Sequence, residues 1–95
     1  MYKLLHNGEA LGSTLFESAD PESHSLSGRF NNMGGAIALS AWIMTNGGTE
    51  DGEVIYLEVG SDFALVDKEG EKVEFNEATL IAVPGENEAY IELII

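Results

Sequence analysis

Gly34-Gly35-Ala36-Ile37-Ala38-Leu39-Ser40-Ala41-Trp42-Ile43-Met44-Thr45-Asn46-Gly47-Gly48 is the stretch on which the fold turns. Read as a strand, it places Ile37, Leu39, Ala41 and Ile43 on one face and Ala38, Ser40, Trp42 and Met44 on the other, so it is buried on both sides. Read as a helix, it has three alanines and a leucine in its favour. Gly35 is a poor N-cap, and glycines at both ends suit strand termini at least as well. The strand is the preferred reading, and it makes the chain all-β.

The flanking sequence supports that choice. Tyr2 to His6 is a short apolar run followed by Asn7-Gly8, a pair that accepts positive φ at both centres of a type I′ hairpin turn. Glu9 to Phe16 returns beside it. Ser18 to Ser23, with Asp20-Pro21, is polar and turn-like. Leu26 to Phe30 is a third strand, in which Gly28 marks a weak point or a bulge.

Further on, Glu53 to Val59 is rich in β-formers. Phe63 to Asp67 and Glu71 to Phe75 form a hairpin around Lys68-Glu69-Gly70, with Gly70 in the left-handed position of a bulged turn. Ala78 to Val83 and Glu88 to Ile95 follow, joined by Pro84-Gly85 as a type II turn. The predicted fold is a small antiparallel β-sandwich or barrel of roughly seven to nine short strands. The alternative is an α+β fold with one short helix at 36–45 packed on an antiparallel sheet. Residues 1–95 are read as a single acidic β-rich domain.

Charge is the most unusual property. Seventeen acidic and four basic side chains give a formal net charge of −13. Residues 49–95 hold thirteen of the acids against Lys68 and Lys72, which is −11 of the −13. Such a chain repels nucleic acid and anionic membranes and attracts basic partners. No cysteine is present, so thiol chemistry and disulfides are excluded. Neither a signal-peptide pattern at the N-terminus nor a long apolar run is seen, and the expected location is the cytoplasm.

Catalytic and metal-binding patterns are weak. No serine lies in a nucleophile elbow, and His6 and His24 have no evident partners. His6, Glu58 and Glu92 are the residues around which a dispersed site could form, but each is better read as a rim or outward-facing side chain. Thr49-Glu50-Asp51-Gly52-Glu53 gathers carboxylates without the spacing of a calcium loop. Phe30, Met33, Trp42 and Met44 are read as a core cluster. No catalytic residue, metal site or cofactor is assigned.

The function expected is therefore non-enzymatic protein binding. The leading form is an acidic inhibitor or immunity-type protein whose carboxylates mimic DNA and mask a basic, nucleic-acid-binding surface of a partner. Its acidic patch comprises Glu50, Asp51, Glu53, Asp62, Asp67, Glu69, Glu71, Glu74, Glu77, Glu86 and Glu88. The alternatives are a structural, self-assembling β-domain, with a homo-oligomer formed through Tyr90–Ile95, and a small-ligand-binding domain.

Overall fold

A computed structural model describes residues 1–32 and 34–95. It overturns the all-β reading. The segment that decides the fold is a helix, α1 (Gly35–Thr45), and the architecture is α+β, as in the alternative reading. The strands are β1 (Tyr2–His6), β2 (Glu9–Thr14), β3 (Ser18–Asp20), β4 (Ser25–Arg29), β5 (Asn31–Asn32), β6 (Thr49–Asp51), β7 (Val54–Glu58), β8 (Phe63–Val66), β9 (Glu77–Val83) and β10 (Glu88–Ile94). They form two open antiparallel sheets, ordered β5-β2-β1-β8 and β3-β4-β10-β9-β7-β6, and neither closes into a barrel.

The segment is apolar all round, and as a helix it buries one face. Ala36, Leu39, Ser40 and Ile43 are buried; they fall at i, i+3, i+4 and i+7, one face of a 3.6-residue repeat. That face packs on β9, β7 and β10. Ser40 is tolerated there because its hydroxyl donates to the Ala36 carbonyl at 2.7 Å. The glycines act as helix boundaries. Gly34 (φ 95°) and Gly35 (φ 80°) swing the chain out of β5. At the other end the Gly48 amide donates to the Ile43 carbonyl at 2.9 Å, across Gly47 at φ 91°. That is a Schellman C-cap, which satisfies an orphan carbonyl of the last turn.

Both sheets and α1 share one core, in which Leu4, Leu39, Ile43, Leu65, Leu80, Ile91 and Leu93 are essentially inaccessible. Strict alternation in β9 and β10 turns Ala78, Leu80 and Ala82, with Ala89, Ile91 and Leu93, toward it.

Several local expectations hold and others are corrected. Asn7 (φ 51°) and Gly8 (φ 85°) form the expected hairpin turn between β1 and β2. Asp67 and Glu71 close the 68–70 turn with a 2.9 Å backbone bond and Gly70 at φ 82°. Residues 71–75, however, are not a strand and touch β8 through one bridge, Val66 to Lys72. Pro84–Glu86 is a 3-10 turn instead of a type II turn, and the left-handed residue is Asn87 (φ 54°) and not Gly85. Gly28 marks no bulge, since β4 pairs with β10 in unbroken register. It is a close approach, where an added Cβ would lie 2.6 Å from the Glu17 carboxylate and 2.7 Å from the Thr14 hydroxyl. A register shift lies in the β1–β2 pair instead, where Leu4 and Leu5 face Gly12 and Ala10 and Leu11 of β2 is the extra residue.

Candidate functional site

The acidic residues do not share one surface. Glu50, Asp51, Glu53, Glu86 and Glu88 gather where β6 turns into β7 and β9 turns into β10. Glu77 begins β9 at the opposite end of the six-stranded sheet, with Glu74 shortly before it. Asp67, Glu69 and Glu71 belong to the turn after β8, where the Asp67 carboxylate accepts the Glu69 and Glu71 amides at 2.9 and 3.0 Å. Asp62 precedes β8 and is engaged by His6 at 2.8 Å. Glu88 accepts from Arg29 at 2.9 Å and from the Tyr90 hydroxyl. The eleven positions are thus spread over the β6–β7 and β9–β10 turns, the start of β9, the turn after β8 and the segment before β8.

The C-terminal strand lies inside its sheet. Residues of β10 pair with β9 on one side and β4 on the other. Its hydrogen-bonding edges are occupied, so Tyr90–Ile95 is not an edge to which a second copy adds a strand. The true edges of this sheet, β3 and β6, are three residues each, a length too short to template pairing well.

The residues considered for chemistry are set apart from one another. His6 lies at the rim with its ring against Trp42 (5.0 Å) and Phe63 (4.6 Å). Exposed His24 sits in a turn at φ 55°, and its carbonyl accepts the Ile95 amide. Glu58 and Glu92 are exposed and lie on either side of Thr79 on the solvent face of the six-stranded sheet. Among the described residues no group of three or more His, Cys, Asp or Glu side chains is placed to hold a metal. Of the expected aromatic–methionine cluster, Phe30 is in the core, Trp42 packs at its edge and Met44 is exposed; Met33 lies outside the described residues. The clefts are open and superficial, including one of about 340 Å³ between the start of β8 and residues 72–76.

What stands out instead is the outer side of α1. Ile37 is 65% exposed and Met44 46%, and Ala38 and Ala41 between them are exposed as well. Ile37, Ala41 and Met44 fall at i, i+4 and i+7, so they form one stripe. The helix carries no charged residue; nor does the whole span from Phe30 to Thr49. An ordinary surface helix shows a charged outer face. That twenty-residue gap in a chain with twenty-one charged side chains is the mark this surface leaves in the sequence. Comparison with family models, with curated proteins and with solved structures finds no match. Among the described residues no helix is long and apolar enough to cross a membrane.

Proposed function

We propose that this chain is a self-associating assembly domain whose α1 pairs with α1 of a second copy. One observation carries the reading: an exposed helix face that is apolar and uncharged on a protein of net charge −13. Apolar helix faces are stable where they are covered. The electrostatics favour a second copy as the cover. An acidic partner is repelled by the rest of the surface, and a basic one gains nothing at a face without carboxylates. A neutral face is complementary to itself.

The side chains suit a two-fold axis near Ala41. An antiparallel copy sets Ile37 against Met44 and lets the alanines bring the helix axes to about 8 Å, the close end of ordinary helix packing. Because the cysteine-free chain needs no oxidising environment, the proposal keeps the cytoplasmic location. The inhibitor reading needs all eleven carboxylates on one surface, and Asp67, Glu69 and Glu71 lie on the turn after β8, away from the six-stranded sheet that carries Asp51, Glu77 and Glu88.

Sedimentation equilibrium over a range of protein and salt concentrations tests the proposal. Added salt screens the repulsion between two acidic copies, so dimerisation strengthens as salt rises. Ile37→Glu abolishes it while leaving the fold intact by circular dichroism. A chain that stays monomeric at high concentration and high salt contradicts the reading.

A further inference from the structure

The six-stranded sheet has a second, independent surface. Its inner face meets α1 and the core; its outer face is covered by no described element. Cross-strand register places Thr49, Tyr56, Ile81, Tyr90 and Arg29 in one row across β6, β7, β9, β10 and β4. Tyr56, Ile81 and Tyr90 are half-buried, and Val54 and Val83 flank them on the same face. Solvent-facing sheet positions usually alternate to polar residues. Here three central strands present aromatic and branched aliphatic groups, spanning about 10 Å between β7 and β10 at ordinary strand spacing.

The rim of this face is acidic. Alternation and register put Asp20, Asp51, Glu58, Glu77, Glu88 and Glu92 on the same side. The single cation there, Arg29, is already held by Glu88. An apolar, aromatic centre inside a charged rim is the anatomy of a protein-binding surface.

We infer that this face binds a basic protein surface, one that presents apolar side chains to Tyr56, Ile81 and Tyr90 and lysines or arginines to the surrounding carboxylates. Charge complementarity selects that occupant. A second copy would bring six carboxylates against six, and nucleic acid would bring phosphates against them. This surface is separate from the α1 face and does not depend on it.

The test uses amide chemical-shift mapping on the whole chain, with an alternating leucine–lysine peptide of about eight residues as probe. A glycine–lysine peptide of equal charge is the control. The shifts are expected on β7, β9 and β10, with the leucine–lysine peptide binding about tenfold tighter than the control. Ile81→Lys weakens it by about tenfold, while Ile37→Glu leaves it unchanged. Equal affinity for both peptides, or shifts confined to the Asp67–Glu71 turn, overturns the inference. So do concentration-dependent shifts on β7, β9 and β10 in the protein alone, which would make a second copy the occupant.

Discussion

The His6 Nε2 donates to the Asp62 carboxylate at 2.8 Å, across fifty-six residues of sequence. The Asn7 amide donates to the Asp62 carbonyl beside it at 2.9 Å. Together these bonds fasten the β1–β2 turn to the segment before β8, while the His6 ring packs on Trp42 of α1. One histidine thus links the four-stranded sheet to the helix. Asp62 is half exposed, so the contact is worth little. Asp62→Ala should cost about 0.5–1 kcal/mol in urea unfolding. His6→Ala should cost more, because a packed ring is lost as well, and should shift the emission of Trp42, the chain's one tryptophan.

The C-cap of α1 gives a sharper stability prediction. Gly47→Ala forces a side chain into the left-handed region and should cost about 1 kcal/mol. Gly48→Ala should cost about 1–3 kcal/mol for a different reason, overpacking. Its Cβ would lie 2.8 Å from the Tyr56 carbonyl oxygen and 2.9 Å from that of Ile43. Thermal unfolding followed at the helical band of the circular dichroism spectrum should show both losses.

Tyr90 has a pH signature. Its hydroxyl pKa is raised above the ordinary 10.0, first by its hydrogen bond to Glu88, then by burial and by the Glu88 charge, with Arg29 opposing. A tyrosine with a raised folded-state pKa contributes stability that is complete below pH 10.0 and is lost as pH rises through the folded value. Ultraviolet titration should show a phenol that ionises above pH 10.0. Tyr90→Phe should remove that late step. A Tyr90→Phe chain that keeps the late step would show that the Glu88 contact does not hold the Tyr90 proton.

The two faces of α1 should respond oppositely to truncation. Ile43 is fully buried and Ile37 is 65% exposed. Ile43→Ala should cost about 2–5 kcal/mol, a large share of the stability of so small a domain. Ile37→Ala should change the stability of the isolated chain by no more than about 0.5 kcal/mol, and should act on association instead. Urea unfolding at low protein concentration separates the two effects.

Much of the β-structure is legible in local chemistry. Asn7-Gly8 specifies its hairpin because few other pairs accept those dihedrals, and the 78–83 and 88–95 strands announce themselves by alternation. The 36–45 segment reads as strand or helix because its sequence is apolar on every side, which blurs both periods. The deciding clue was punctuation: Asn46-Gly47-Gly48 is a helix stop as well as a loop, and Leu39, Ser40 and Ile43 have helical spacing. Residues 71–75 failed in the opposite sense. Their β-propensity is real, but only Val73 and Phe75 find the core, and a single bridge is all that β8 supplies. The surfaces were harder to read than the elements. Charge counts ignore register, and only the pairing of β7, β9 and β10 shows that Tyr56, Ile81 and Tyr90 lie in one row.

The most direct test of self-association through α1 uses the absence of native cysteine. Ala41→Cys places a lone thiol at the middle of the exposed helix stripe, and Glu69→Cys places one on the exposed turn after β8. Under mild oxidation at matched concentration, the Ala41→Cys chain should cross-link to a covalent dimer far faster than the Glu69→Cys chain. Equal rates, or faster cross-linking at position 69, would contradict pairing through the helix.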